Sequence, residues 1–306
     1  MTDQMHVIVV MAPSGALVNR MLIENAVSAV QGQIVEAHRV AVPVSLVDHR
    51  EVIKFLIDCP DPERLSAQLR QLSDEHGADI ALQSRLSRCR PYGLAVFDMD
   101  STLISCEVID ELARVAGVGA EVAEITDRAM RGELDFDESF RTRLALLKGL
   151  DAGAVDELAD QLPVQSGLSE MATTLKARGL KLAIFSGGFI PIAERLKNDY
   201  GFDHVVANEL EIRDGKVTGK IVPPIVNREY KAAALGALAS RLGIHTEHCI
   251  AVGDGANDLS MMALAGLGVA FHAKPAVRAA SPIEITHIGL DGVCYLMGHE
   301  GEFAVA

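Results

Sequence analysis

The chain has 306 residues, of which 49% are hydrophobic and 23% charged, a composition typical of a folded protein with room for one large domain and a smaller one. Its formal net charge of −14 repels the nucleic-acid backbone and anionic lipid alike, so we expect no nucleic-acid partner. Five cysteines, an odd number without a CxxC pair, disfavour a disulfide framework and favour a cytoplasmic location.

The sequence predicts neither export nor membrane insertion. Its first residues include no Lys or Arg before a short apolar run, so the positive region of a signal peptide is missing. The longest apolar stretch, residues 182–193, contains two glycines and a proline and is shorter than the roughly 20 residues of a membrane span. We therefore expect no membrane partner.

The first 85 residues alternate between strand-like and helix-like patterns. The predicted order is βαββαβ, with elements at residues 6–11, 16–30, 34–42, 51–59, 62–76 and 79–82. This order resembles the ACT-type ferredoxin-like α+β module, whose family binds amino acids or mediates dimerisation. The resemblance implies an amino-acid effector or a homodimer, and a purely structural module is the alternative.

A polar, Arg-rich stretch at residues 83–91 has no apolar face, and we predict it as the link between a domain at 1–85 and one at 86–306. Beyond it, four short apolar runs are typical of buried parallel strands. These runs are Leu94–Asp98, Lys181–Phe185, Cys249–Gly253 and Leu267–Phe271.

Two further patterns separate these strands. Apolar residues recur at helical spacing over residues 108–162, which predicts a helical cap inserted at about residues 104–165. Two alternating runs flank Asp214-Gly215, a dipeptide that favours a tight hairpin turn. The whole pattern predicts an α/β fold with a Rossmann-like parallel sheet.

Acidic residues follow two of the predicted strands. Asp98 and Asp100 directly follow the first apolar run, and Asp254 and Asp258 follow the third. Carboxyl ends of parallel strands are where α/β folds bind ligands, and a hard divalent cation such as Mg²⁺ compensates paired carboxylates. A polar turn capping a helix is the alternative for the first pair.

The second strand and a later helix add groups suited to an anion. Ser186, Gly187 and Gly188 offer a hydroxyl and backbone N–H groups at a helix N-terminus, which favours phosphate binding. Lys231, at the start of a predicted helix, adds a positive charge. An N-cap serine and a solvated lysine are the alternatives.

In this order, these four motifs resemble those of the haloacid dehalogenase-like hydrolase superfamily over about residues 92–296. The DxDxT form, here Asp98 to Thr102, resembles the phosphatase branch. The resemblance implies that Asp98 attacks phosphorus, that Asp100 is the general acid and base, and that Ser186, Gly187 and Lys231 bind the phosphoryl oxygens. It also implies Mg²⁺ held by Asp98, the backbone carbonyl of Asp100, and Asp254, with Asp258 orienting Lys231 or the metal ligands.

The segment STLISCEVIDELA at residues 101–113, and the stretches at residues 130–136 and 138–144, resemble the corresponding segments of the phosphoserine phosphatases. The resemblance implies that Glu107 binds the ammonium of O-phospho-L-serine and that Arg143 binds its carboxylate, with Arg141 as the alternative. It further implies that Met130 and Phe136 close the pocket and that Asn257 lies near the phosphate. Solvated charges and core packing are the alternatives for these cap residues.

The expected reaction is hydrolysis of O-phospho-L-serine to L-serine and phosphate, the last step of L-serine synthesis. A phosphotransferase, a phosphatase for another phosphomonoester, and an amino-acid-sensing regulatory protein are the rival hypotheses. The absence of GxSxG, a Walker A loop and GxGxxG disfavours a lipase-type hydrolase, a P-loop kinase and a dinucleotide oxidoreductase. The absence of HExxH disfavours a competing histidine metal site.

Overall fold

The computed structural model describes residues 5–16, 18–46 and 50–298, except for the side chains of Val44 and Met130. Residues 299–306, most of the C-terminal tail whose role the sequence leaves open, lie outside the described residues. The chain divides into two compact units. The first unit comprises Met1–Tyr92, Ser166–Thr174 and Val269–Ala306, and the second comprises Gly93–Gln165 and Leu175–Gly268. Across the described ranges, no helix is long and apolar enough to cross a membrane.

The helices and strands are named here in chain order. Up to residue 92 they are β1 (Met5–Pro13), α1 (Arg20–Ala29), β2 (Gln33–Arg39), β3 (Arg50–Asp58), α2 (Pro62–His76), β4 (Asp79–Ser84) and α3 (Arg85–Arg88). From residue 93 to the middle of the chain they are β5 (Leu94–Phe97), α4 (Val108–Val115), α5 (Gly119–Met130), α6 (Phe136–Leu146), α7 (Gly153–Ala159), α8 (Leu168–Ala177), β6 (Lys181–Phe189) and α9 (Ile190–Tyr200). The remainder are β7 (His204–Arg213), β8 (Lys216–Val222), α10 (Arg228–Leu242), β9 (Cys249–Gly253), α11 (Leu259–Leu264), β10 (Leu267–Phe271), α12 (Pro275–Ala280), β11 (Glu284–Ile285) and α13 (Gly292–Leu296).

The first unit confirms the predicted βαββαβ order. Its four strands are antiparallel and lie in the order β2-β3-β1-β4. Apolar side chains of the strands, such as Ile8 and Phe55, pack against Ile23 of α1 and Leu65 of α2. The buried face of the sheet and the two helices therefore share one core, as in a ferredoxin-like module.

Capping groups set the helix ends in this unit. The helix predicted over residues 16–30 begins only at Arg20, because the Asn19 side chain accepts a hydrogen bond of 3.1 Å from the Leu22 N–H. Helix α2 has the predicted bounds: Asp61 caps its N-terminus, and Gly77 (φ 67°) ends it in the left-handed conformation.

The prediction of a polar link at residues 83–91 is wrong in part. Strand β4 continues to Ser84, α3 follows, and the Arg88 side chain is 0% exposed. Its guanidinium donates to Gln83 and to the carbonyls of Tyr295, Leu296 and Met297 at 2.8–3.1 Å. A buried cation that satisfies the last carbonyls of α13 cannot be read from a local sequence pattern, because its partners lie at the other end of the chain. The boundary near residue 85 stays a prediction.

The second unit confirms the predicted parallel strands and hairpin. Strands lie in the order β9-β5-β6-β7-β8, with β5 parallel to both β9 and β6 and with β7 parallel to β6. Strands β7 and β8 form the antiparallel hairpin, whose turn residues Asp214 and Gly215 have φ of 52° and 73°. Positive φ at both positions is what a tight turn between twisted strands requires.

Four helices, α4 to α7, lie within the insertion predicted at about residues 104–165, and a fifth, α8, follows it before β6. The two segments that lead into and out of these helices are hydrogen-bonded to each other. The Ser105 N–H donates to Pro163 O and the Gln165 N–H donates to Leu103 O, each at 2.9 Å. We call helices α4–α7, together with the segments that lead into and out of them, the cap.

We expect Arg88→Met to destabilise the protein by about 3 kcal/mol, because it leaves several buried carbonyl groups without a donor. The matched control is Arg64→Met on α2. Because the Arg64 side chain is exposed, this substitution should change the free energy of unfolding by no more than about 0.5 kcal/mol. Thermal unfolding of both variants provides the comparison. Equal midpoints for the two variants would contradict a capping role for Arg88.

Candidate active site

The strand register brings three motifs to one edge of the sheet. Phe97 at the end of β5 is aligned with Ile184 of β6 on one side and with Val252 of β9 on the other. The Asp98 N–H continues the ladder with a bond of 2.9 Å to Val252 O. Because parallel strands in register end at the same level, the residues that follow each of them meet there.

Three buried carboxylates form a cluster at this edge. Asp98, Asp254 and Asp258 are 4%, 5% and 0% exposed, and one oxygen from each lies within 4.8 Å of the others. The Lys231 ammonium, which is 0% exposed, donates to Asp98 Oδ1 and to Asp258 Oδ1 at 2.7 Å each. Asp258 is therefore in contact with Lys231, one of the two groups that the sequence analysis paired it with, and it also accepts the Gly255 N–H at 3.1 Å.

Lys231 contributes a positive charge to this cluster. Burial alone would lower the pKa of Lys231, but the carboxylates of Asp258 and Asp98 hold that pKa above its ordinary value, so the ammonium stays charged. The three buried carboxyl groups, whose oxygens converge within 4.8 Å, offer the oxygen ligands that a hard divalent cation prefers, so these residues fit a metal site.

Asp100 has different surroundings from Asp98. Its Oδ1 accepts the Val108 N–H at 2.8 Å, and its Oδ2 accepts the Ser186 hydroxyl at 3.1 Å. Burial raises the pKa of Asp100 well above its ordinary value, and the carboxylates of Glu107 and Asp98 raise it further. Two carboxyl groups in one site, one beside an ammonium and one disposed to hold a proton, are suited to a nucleophile and a general acid.

Ser186, Gly187 and Gly188 interrupt the pairing of β6, because the register with β7 shifts between Phe185 and Phe189. The Gly188 N–H donates to the Ser186 hydroxyl oxygen at 2.8 Å. A Cβ on Gly188 would lie 2.5 Å from Met99 Cε and 2.6 Å from Asp100 Oδ2, so only glycine fits there. This bulge places a hydroxyl group and backbone N–H groups beside Asp100.

The cap brings two of its predicted residues to this site. Glu107, the residue before α4, accepts the Ser101 hydroxyl at 2.9 Å and acts electrostatically on Asp100. Phe136, the first residue of α6, lies over Gly187: a Cβ built on that glycine would be 3.4 Å from Phe136 Cζ. Its ring is parallel to that of Phe140, with ring centroids 6.2 Å apart.

The two candidate carboxylate ligands on α6 differ in their surroundings. In the part of the chain that the structure describes, Arg143 Nε is buried with no hydrogen-bond partner. Arg141 is exposed, pairs with Asp137 at 3.5 Å, and lines a cavity of about 880 Å³ together with Lys220 and Tyr230. An unpaired guanidinium nitrogen in a buried position favours Arg143 as the group left for an anion.

The structure describes fewer contacts for two of the predicted residues, Asn257 and Met130. Asn257 is half-buried after β9, and its side-chain oxygen occupies the space beside Gly255. Met130 is the last residue of α5, and its side chain lies outside the described part of the structure.

Sequence reasoning missed three polar residues of the site. Thr102 is 0% exposed, and its hydroxyl lies 3.4 Å from Asp254 Oδ1. Asn227 caps α10, the helix that carries Lys231, by accepting the Tyr230 N–H at 3.0 Å. Asn208 is fully buried and bridges two backbone segments of the site. N-cap rules could have identified Asn227, and the only signal for Asn208 was a polar residue after an apolar strand run.

Comparison with known proteins supports the same interpretation. Residues 95–263 match the haloacid dehalogenase-like hydrolase family. The phosphoserine phosphatase SerB2 of Mycobacterium tuberculosis is 45% identical over 76% of this chain, and the match spans only 57% of that relative's length. The phosphoserine phosphatase of Streptococcus thermophilus is 45% identical, with 69% of this chain and 98% of the relative covered.

Two solved structures extend the comparison. A haloacid dehalogenase family hydrolase of Salmonella enterica serovar Typhi superimposes with a TM-score of 0.86 at 32% identity, covering 97% of this chain and 99% of its own. A probable phosphoserine phosphatase of Vibrio cholerae gives a TM-score of 0.75 at 36% identity over 95% and 86% of the two chains. The fold, the strand-end motifs and these relatives agree: the chain belongs to the haloacid dehalogenase-like hydrolases and, within them, to the phosphoserine phosphatase family.

Proposed function

We propose that this protein hydrolyses O-phospho-L-serine to L-serine and phosphate, the last step of L-serine synthesis. The observation that carries the proposal is the contrast between two neighbouring carboxyl groups. Asp98 is held by the Lys231 ammonium at 2.7 Å, whereas Asp100 has a pKa raised by burial and by nearby carboxylates. This contrast assigns the nucleophile to Asp98 and the proton donor to Asp100 at the same strand end.

In the first step, Asp98 attacks phosphorus and forms an aspartyl-phosphate while the bond to the serine oxygen breaks. Asp100 gives its proton to that leaving oxygen, so L-serine departs as a neutral alcohol. Ser186, the Gly187 N–H and Lys231 bind the phosphoryl oxygens, where negative charge develops. Asn257 adds a contact near the phosphate.

In the second step, Asp100 is ionised and takes a proton from a water molecule, which then attacks phosphorus and releases phosphate from Asp98. Asp100 is thereby returned to its protonated form for the next cycle. The bond from the Ser186 hydroxyl to Asp100 Oδ2, at 3.1 Å, keeps the carboxyl oriented in both steps.

We propose Asp98, Asp254 and the backbone carbonyl of Asp100 as ligands of Mg²⁺, with Asp258 orienting Lys231 beside them. The ion supplies positive charge to the transferring phosphoryl group when it is bound. The support is the convergence of the buried carboxylate oxygens of Asp98, Asp254 and Asp258 within 4.8 Å of one another.

We attribute selectivity for the phosphate ester of an amino acid to the cap residues. Glu107 beside Asp100 offers a negative charge to the substrate ammonium, and the unpaired Arg143 Nε offers a positive charge to its carboxylate. We propose that Phe136, which lies over Gly187, closes the pocket against water. The same role for Met130 stays a prediction from the sequence.

We propose a cytoplasmic location as well, since all five cysteines are free, as in a reducing compartment.

The primary assay follows phosphate release from O-phospho-L-serine with Mg²⁺, with the metal chelator EDTA, and with a panel of other phosphomonoesters. We expect turnover selective for phosphoserine that is lost on metal removal and in Asp98→Asn. Comparable turnover of unrelated esters would refute the substrate, and an active Asp98→Asn protein would refute the nucleophile.

A second panel separates the roles of the two cap charges. O-phosphoethanolamine carries the ammonium without the carboxylate, and 3-phosphonooxypropanoate carries the carboxylate without the ammonium. We expect Arg143→Met to lower kcat/KM for phosphoserine and 3-phosphonooxypropanoate by about 100-fold and to spare phosphoethanolamine. Glu107→Gln should spare 3-phosphonooxypropanoate instead. Arg141→Met is the matched control, and a loss in that variant comparable to the loss in Arg143→Met would reverse the assignment.

The space at Gly188 gives a third prediction. Gly188→Ala should lower kcat by about 100-fold or more, because the new methyl group would displace Asp100 and Ser186. Gly236→Ala on α10 is the control. A Cβ built on Gly236 would lie 4.0 Å from Leu264 Cδ2, which is ordinary van der Waals contact, and alanine is favoured over glycine in a helix interior. Full activity in Gly188→Ala would contradict the placement of the acid–base group beside the bulge.

We further propose that the N-terminal module binds a free amino acid as an effector, on the support of its confirmed βαββαβ order. L-Serine should then bind at two sites per chain in calorimetry, the product site and the effector site, and Arg143→Met should retain only the second. If that variant bound no L-serine at all, the product site would be the L-serine site of the wild-type protein, and the effector proposal would be refuted.

The resemblance of the N-terminal module also implies a homodimer, which sedimentation of the same sample tests.

A further inference from the structure

Asn208 has a buried amide side chain that is hydrogen-bonded to two backbone segments of the site. Its Nδ2 donates to Gly187 O at 2.7 Å, and its Oδ1 accepts the Val226 N–H at 2.9 Å. The Asn208 side chain is 0% exposed, and a buried amide requires hydrogen-bond partners such as these. One residue thereby joins the bulge that contains Ser186 to the segment that leads into α10.

The bulge explains why such a residue is needed. Val206 of β7 pairs with Phe185, and Asn208 pairs with Phe189, so residues 186–188 of β6 face a single residue of β7. The extra residues lose their regular ladder partners, and a buried carbonyl without a donor is unfavourable. The amide of Asn208 replaces the missing ladder bond at Gly187 O.

The bond to Gly187 O also fixes a neighbouring N–H group. Gly187 C=O and Gly188 N–H belong to one peptide unit, and in a trans peptide they point to opposite sides. With the carbonyl held by Asn208, the N–H points to Ser186 Oγ, which accepts it at 2.8 Å. The Ser186 hydroxyl then has its proton directed to Asp100 Oδ2 at 3.1 Å.

The second bond acts on the lysine. Val226 immediately precedes Asn227, the N-cap of α10, and the Asn227 carbonyl accepts the Lys231 N–H at 2.9 Å. Lys231 reaches Asp98 Oδ1 from the first turn of this helix. The position of Val226 therefore bears on where the ammonium lies.

We propose that Asn208 is a positioning residue for the reaction: through the Gly187–Gly188 peptide and Ser186 it orients Asp100, and through Val226 it sets the start of the helix that presents Lys231. The inference rests on the proposed phosphatase function and adds a residue that never contacts the substrate. Asn208 should therefore govern kcat, while KM for phosphoserine depends on Glu107 and Arg143.

The test is a double-mutant cycle between Asn208→Asp and Ser186→Ala in the full-length protein. Aspartate retains an acceptor for the Val226 N–H but, when ionised, has no donor for Gly187 O. We expect Asn208→Asp to lower kcat by roughly ten- to hundredfold with KM changed by less than about threefold. In the Ser186→Ala background the same substitution should lower kcat by less than about threefold, because the residue through which it acts is gone.

Two controls separate positioning from folding. Asn198→Asp on α9 makes the same chemical change at an exposed position and should leave kcat unchanged. Thermal unfolding identifies variants that do not fold, and Asn208→Ser, a smaller polar substitution, then replaces Asn208→Asp in the cycle.

Equal losses of kcat in both backgrounds, or a change confined to KM, would overturn the inference. The assay includes p-nitrophenyl phosphate alongside phosphoserine. If the wild-type protein hydrolyses that ester and not phosphoserine, the substrate proposal fails, and the cycle on p-nitrophenyl phosphate still decides the role of Asn208.

Discussion

The site depends on the two ion pairs that the buried Lys231 ammonium forms. The ammonium lies without solvent exposure between Asp98 and Asp258, and both ion pairs are 2.7 Å long. A buried carboxylate without a partner is strongly unfavourable, so β5, β9 and α10 must come together for these charges to be tolerated. The same contacts that satisfy the charges place the nucleophile, which means that folding and the arrangement of the site share one constraint.

The bulge in β6 adds a second constraint. A regular strand would pair the backbone of Ser186, Gly187 and Gly188 with β7, and the Gly188 N–H would not then be directed to the Ser186 hydroxyl oxygen. Interrupting the pairing exposes these groups to the site, at the expense of backbone bonds that Asn208 restores in part. The absence of a side chain at Gly188 lets Asp100 and Met99 approach the backbone closely. The bulge therefore combines an anion-binding surface with the contact that orients the acid–base carboxyl.

Much of this arrangement could be predicted from the sequence because its signals are local. Strand β9 has the predicted bounds, the Asp214-Gly215 turn forms as its dipeptide indicates, and Asp98 and Asp254 follow their strands directly. The parallel register then brings these strand ends together without further information. Residues whose role lies in short motifs at strand ends were accessible in this way.

The residues that were missed have partners distant in the chain. Arg88 satisfies carbonyls of residues 295–297, and Asn208 joins Gly187 to Val226, so neither local hydrophobicity nor helix periodicity indicates its burial. Arg141 and Arg143 are two residues apart on one helix and carry the same charge, and only their surroundings distinguish them. Side-chain environment, unlike strand position, requires the fold.

The central claim is that Asp98 becomes covalently phosphorylated. Rapid acid quenching during turnover of O-phospho-L-serine, followed by mass spectrometry of proteolytic peptides, tests it most directly. The account predicts one phosphoryl group on the peptide that contains Asp98, formed in the wild-type protein and absent from Asp98→Asn. Phosphorylation at another residue, or turnover with an unmodified Asp98 at every quench time, would contradict it.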